Sequence, residues 1–134
     1  MLVANRGEIA VRIMRAARDL GLVTVAVAPE DDLGSLHNRL GDESVTLAGR
    51  GAAAYLDIGA VVAAAIDNDC DALHPGYGFL AENPELAAAC EEAGITFVGP
   101  TATQLRVFGD KLTARDLASQ SLSMAAATTA PMSR

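Results

Sequence analysis

Short apolar runs and helical stretches alternate five times along this chain, and few architectures accept that order. Residues 1–4, 23–27, 44–47, 70–73 and 95–98 read as strands. Residues 7–20, 58–66 and 84–93 read as helices between them. The run Val23-Thr-Val-Ala-Val27 has no polar residue besides Thr24, the pattern of a strand covered by helices on both faces. Such an order predicts an α/β fold, a Rossmann-like, doubly wound parallel sheet.

Local signals punctuate these elements. In the first helix Ile9, Ile13 and Ala17 form an apolar stripe, broadened by Ala10, Met14 and Leu20, and Gly21 follows as a stop. Asp57 is placed to cap the helix over 58–66, and Asn83 caps the next with Pro84 at its first position. Thr101 and Gln104 have capping-box spacing, so a short helix begins there. Gly109 interrupts it, and Asp110 caps a further helix over 111–119. Residues 31–41 are polar and turn-rich with one helical turn near 36–40, and 49–54 reads as a flexible connection. The pattern dissolves after Ser119. One domain is expected over 1–119, followed by a linker or truncated tail over 120–134.

Composition narrows the function classes. The chain is 51% hydrophobic but only 4% aromatic, which suits alanine-rich helices packed closely on a sheet. A net charge of −7 argues against nucleic acid as a partner, because neutralising phosphates takes clustered Lys and Arg. No apolar run long enough for a membrane span and no signal-peptide layout is present, so cytoplasm is the expected location. Cys70 and Cys90 belong to no CxxC pair and read as buried, reduced thiols. His37 and His74 stand alone in sequence, and no metal site is predicted.

Four places remain for chemistry. His74-Pro-Gly-Tyr-Gly-Phe-Leu80 follows a strand, where a parallel sheet meets its ligands. This loop either presents Tyr77 to a ligand or packs it on its own domain. The first strand-to-helix turn, Ala4-Asn-Arg-Gly-Glu8, has one glycine where a dinucleotide fingerprint needs three, and no Walker-type phosphate loop occurs elsewhere. Asn5 and Arg6 at this turn either meet a ligand or bond neighbouring loops. Arg12, Arg15 and Asp19 share the polar face of the first helix, with Glu8 four residues before Arg12. That face is either solvated or a subunit interface. Lys111 opens a helix, where a cation is electrostatically misplaced unless an anion binds beside it.

Four blocks together resemble the N-terminal domain of biotin carboxylases, the family that includes the biotin carboxylase parts of acetyl-CoA, propionyl-CoA and pyruvate carboxylases. They are Val3-Ala-Asn-Arg-Gly-Glu-Ile-Ala-Val-Arg-Ile13, His74-Pro-Gly-Tyr-Gly-Phe-Leu-Ala-Glu-Asn83, Gly94-Ile-Thr-Phe-Val-Gly-Pro100 and Gly109-Asp-Lys111. The resemblance implies the domain that precedes an ATP-grasp domain in an ATP-dependent ligase. The whole enzyme would use ATP, Mg²⁺ and bicarbonate to carboxylate biotin on a carrier protein or domain, for a carboxyltransferase to use. It implies that Lys111 contacts ATP phosphate. His74, Gly76, Tyr77, Gly78 and Phe79 would border the biotin pocket, and Arg12, Arg15 and Asp19 would lie at a homodimer interface.

The sequence also departs from the family. Ser121-Leu-Ser-Met124 stands where a Gly-Val-Pro-like turn is usual, and residues 29–53 are looser than the pattern. The ATP lid, the Mg²⁺ carboxylates and the bicarbonate-binding residues of the family would lie beyond Arg134, so a fragment inactive by itself is expected. A stand-alone, non-catalytic binding module with the same fold is the alternative from a different class.

Overall fold

The computed structural model describes residues 1–110 and 114–120. Five parallel strands form one sheet in the order β3-β2-β1-β4-β5. They are β1 (Leu2–Val3), β2 (Val25–Pro29), β3 (Glu43–Leu47), β4 (Ala72–His74) and β5 (Thr96–Phe97). The helices are α1 (Gly7–Asp19), α2 (Leu36–Leu40), α3 (Gly51–Ala54), α4 (Ile58–Asp67), α5 (Pro84–Glu92) and α6 (Ala102–Gly109), and residues 114–120 are also helical. This is the expected α/β doubly wound sheet.

Alternation of side chains along each strand divides the core into two layers. Leu2, Val25, Val27 and Leu73 pack with Val61 and Ala65 of α4 and with Leu86 and Cys90 of α5. Val3 and Ala26 face the other way, against Ala10 and Met14 of α1. Register follows from this division: Leu2 pairs with Val25 on one side and Leu73 on the other, and Val3 with Ala26 and His74. The edge strand β3 differs, since only Leu47 is buried and Glu43, Ser44 and Thr46 are exposed. Polar side chains on an edge discourage pairing with another chain.

The capping signals act as expected. Asp57 accepts from the Ala60 N–H at 2.9 Å, and Asn83 from Glu85 at 2.8 Å. Thr101 and Gln104 each accept the other's backbone N–H, at 3.2 and 2.9 Å. For Asp110, the Ala114 N–H donates to its backbone carbonyl at 2.9 Å, and the amides its side chain is expected to cap lie outside the described residues. Both cysteines are buried and free, and burial pushes their thiols up, Cys90 to about 11.

Three expectations shift. The second strand starts at Val25 rather than Val23, because the Val23 carbonyl accepts from the Met1 amine at 2.8 Å and Thr24 donates twice to Asp42. The Thr24 donors hold the Asp42 carboxyl below its ordinary range. The buried stripe of α1 is Ala10, Val11, Met14 and Ala17, with Ile9 and Ile13 half-buried and Leu20 76% exposed. Leu20 lies beyond the last helical residue, so helical periodicity no longer sets its direction. Residues 49–54, expected as a flexible connection, contain the helical turn α3. Asp31 fixes its start by accepting from the Gly51 N–H at 3.0 and 3.1 Å.

Leu73 sits in an inner strand with no exposed surface. Leu73→Ala is expected to lower unfolding free energy by about 2–5 kcal/mol through lost burial and the cavity left behind. Urea denaturation measures it, and a loss under about 1 kcal/mol would contradict this packing.

Candidate functional site

Chain direction reverses across the sheet between β1 and β4: β1 leads to β2 on one side, and β4 leads to β5 on the other. Such a switch point opens a crevice at the carboxyl ends of the two strands. Asn5 leaves β1 there and the 74–80 loop leaves β4, with the Ala4 N–H still donating to the His74 carbonyl at 2.9 Å. The sequence-predicted loop and the first turn thus meet, although 70 residues separate Asn5 from Pro75.

Asn5 is 2% exposed. Its Nδ2 donates to the Pro75 carbonyl at 2.8 Å and the Tyr77 carbonyl at 2.9 Å. Its Oδ1 accepts from the Arg6 N–H at 2.9 Å. Of the two readings open for Asn5, loop-bonding is the observed one.

The loop itself is tightly wound. Gly76, Gly78 and Phe79 have φ of 70°, 68° and 45°, a region costly for residues with a Cβ. The Gly76 N–H donates to His74 Nδ1 at 3.0 Å, which requires that nitrogen to be unprotonated. Burial lowers the His74 pKa and acts in the same direction. Leu80 is buried and anchors the far end in the core. Tyr77, at the tip, is 77% exposed. It does not pack on its own domain; the loop holds it out.

Phe79 turns inward and stacks on Tyr55, with ring centroids 5.2 Å apart. The Tyr55 hydroxyl donates to Asp32 Oδ2 at 3.1 Å and lies 3.4 Å from His37 Nε2. His37 is 1% exposed, with Nε2 at 3.2 Å from the Val27 carbonyl and Nδ1 at 2.8 Å from Ser35 Oγ. Burial, reinforced by Asp32, raises the Tyr55 phenol well above its usual range. Sequence reasoning missed this network. The available signal was scarcity: the chain has 2 Tyr and 3 Phe, so each ring was a candidate for the core.

Arg12, Arg15 and Asp19 are all exposed, as their shared polar face predicts. Arg12 and Arg15 border different grooves. Arg12 borders a groove with Ile9, Ile13, His74, Gly76 and Tyr77. Arg15 borders a separate cleft with Arg6, Asp32 and His37. Lys111 lies outside the described residues. Among the described residues, no group of three or more His, Cys, Asp or Glu could hold a metal ion, and no helix is long and apolar enough to cross a membrane.

Two glycines test the loop geometry. Gly76→Ala and Gly78→Ala both place a Cβ at positive φ, which costs about 1–2 kcal/mol. Only at Gly76 would that Cβ also come within 2.7 Å of Asn5 Nδ2, whereas Gly78 faces open space. Gly76→Ala is therefore expected to lose at least about 1 kcal/mol more than Gly78→Ala in urea denaturation. Equal losses would refute the contact. His74 gives a pH test. Burial holds its folded pKa below the ordinary histidine value of about 6.5, so its contribution is complete above that value and declines as pH falls toward the folded pKa. His74→Asn keeps an acceptor for Gly76 without the titration. Between about pH 7 and pH 5 it should lose less stability than the unaltered chain; parallel losses would show that His74 does not titrate in this window.

The sequence profile of the family described as "Biotin carboxylase, N-terminal domain" matches residues 1–105. The biotin-dependent acyl-coenzyme A carboxylase alpha3 subunit of Mycobacterium leprae is 50% identical over 121 residues, covering 90% of this chain and 20% of that protein. The biotin carboxylase domain of a single-chain bacterial carboxylase superposes with a TM-score of 0.86 at 55% identity, over 89% of this chain and 28% of that one. The biotin carboxylase domain dimer of Hydrogenobacter thermophilus 2-oxoglutarate carboxylase, described in complex with MgADP, ADP and bicarbonate, gives a TM-score of 0.86 at 41% identity, over 89% and 26%. The chain thus spans between a fifth and three tenths of the length of these three proteins. With its five-stranded sheet, its loop and its sequence all in agreement, the chain belongs to the biotin carboxylase N-terminal domain family.

Proposed function

We propose that this chain forms one wall of a site where carrier-bound biotin is carboxylated with ATP and bicarbonate, the 74–80 loop facing biotin. The observation that carries the reading is Tyr77, 77% exposed on a loop whose two ends are fixed at the switch point of the sheet. An exposed aromatic with a hydroxyl suits a small ring with a polar rim, and the groove beside it joins apolar Ile9 and Ile13 to the charge of Arg12. Family membership supplies the reaction class, and the solved relative described with MgADP and bicarbonate supports the co-substrates.

In this reading the chain's own residues bind and orient. Lys111 supplies positive charge to ATP phosphate, where Mg²⁺ and fixed cations stabilise charge on the transferring group. An ATP-grasp domain and a C-terminal domain contribute the metal-binding carboxylates and the bicarbonate site. Residues 1–119 are the proposed domain, with 120–134 as its linker or tail. A carrier protein or domain brings biotin, and a carboxyltransferase takes the carboxyl group onward. Arg12, Arg15 and Asp19 contribute to a homodimer face, a role supported by their exposure and by the dimeric relative. The cytoplasm is the proposed location.

Two substitutions in the full-length carboxylase separate the two substrates. Tyr77→Ala is expected to raise KM for free biotin about tenfold, worth roughly 1.4 kcal/mol, with KM for ATP unchanged. Lys111→Ala should do the reverse. A Tyr77→Ala enzyme with ordinary biotin KM would overturn the loop assignment, and a Lys111→Ala enzyme with ordinary ATP KM would overturn the phosphate role.

A further inference from the structure

We propose that Asn5 is the positioning residue of the biotin-facing loop, acting through the two carbonyls that flank Gly76. This rests on the reading that the loop borders biotin. Asn5 touches no substrate in this role; at 2% exposure its side chain is spent on the protein itself.

Three observations converge. First, both Nδ2 hydrogens are committed, one to Pro75 and one to Tyr77, at 2.8 and 2.9 Å. Gly76 therefore hangs between two fixed carbonyls, and the second carbonyl belongs to the residue that carries the exposed ring. The orientation of the amide is fixed by the third bond, since Oδ1 must accept from the Arg6 N–H at 2.9 Å. Second, the fit is close: an added Cβ on Gly76 would lie 2.7 Å from Nδ2, 2.9 Å from Cγ and 3.0 Å from Cβ of Asn5. The amide and the loop backbone are already in contact, so the loop can approach no nearer. Third, the loop needs holding. Phe79 keeps a left-handed backbone, φ 45°, without being glycine, and such a conformation persists only where its surroundings enforce it.

Asn5 is well placed to enforce it. It leaves an inner strand whose ladder runs on into the loop through the Ala4 to His74 hydrogen bond at 2.9 Å. Asn5 itself stands two residues past β1, in a turn that this bond ties to the neighbouring strand. On the far side the Phe79–Tyr55 stack limits the same segment. Tyr77, between these two holds, inherits its place from them.

The chemistry names the informative variant. Asn5→Asp is nearly isosteric, but it sets a carboxylate oxygen against two carbonyl oxygens where two hydrogen bonds were. Asn5→Ala removes the donors without adding repulsion. Both variants are to be made in the full-length carboxylase, beside Tyr77→Ala and the double variant Asn5→Ala/Tyr77→Ala. Both Asn5 variants are expected to raise KM for free biotin about tenfold, leaving KM for ATP unchanged. The double variant should bind biotin no worse than the weaker single one, because Asn5 acts through the loop that carries Tyr77. Amide hydrogen exchange should speed up at Gly76, whose N–H is bonded to His74, while β1 and β4 stay protected; general unfolding would accelerate all of them.

The two readings fail separately. If Tyr77→Ala raises the biotin KM and neither Asn5 variant does, Asn5 is not a positioning residue. Additive effects in the double variant overturn it too. If Tyr77→Ala leaves the biotin KM unchanged while Asn5→Ala still releases the loop in exchange, the loop does not border biotin, and the role proposed for Asn5 toward biotin falls with it.

Discussion

Two residues of β1 point in opposite directions, and both layers of the molecule depend on that. Leu2 enters the core shared with α4 and α5, and Val3 enters the core shared with α1. Neither has any exposed surface. Their backbones meanwhile bond β2 on one side and β4 on the other. A slip of one residue would exchange the two layers, so the register is strongly specified. Because β1 is central, its carboxyl end is also where the chain divides into two directions. The crevice is a by-product of the same geometry.

That rigidity reaches the loop through unlike attachments. Asn5 holds it by directed hydrogen bonds, Leu80 by burial, and Phe79 by an aromatic stack. His74 adds a bond that constrains its own protonation. Each attachment uses the interior, leaving Tyr77 outside. A loop held this way presents its tip at little further cost in entropy when a ligand arrives, because the ordering has already taken place on folding.

The sequence carried the five strands and the α/β class, since inner strands buried on both faces leave apolar runs and the caps at Asp57, Asn83 and Thr101 are local. What it could not carry was the bonding of distant segments. Asp31 fixes α3 across 20 residues, and Asp42 reaches back 18 to Thr24, which shortens β2 at its start. No periodicity signals such pairs. The loop was legible as a loop at the carboxyl edge of the sheet, because its glycines and proline follow a strand. Its support by Asn5 was legible only as one of two choices, and the network around Tyr55 only through the scarcity of aromatic rings. An amphipathic stripe also predicts burial only while the helix lasts, as Leu20 shows.

The Tyr55–Phe79 stack sets a bound on divergence. Residues 29–53 form a long excursion from β2 through the edge strand to α3. Their freedom ends at Tyr55, whose ring must return to the same place beneath the loop and whose hydroxyl must still find Asp32 from the start of that excursion. The excursion is therefore closed at both ends by one side chain. Length and composition can drift between those points, and the loop above need not register the change.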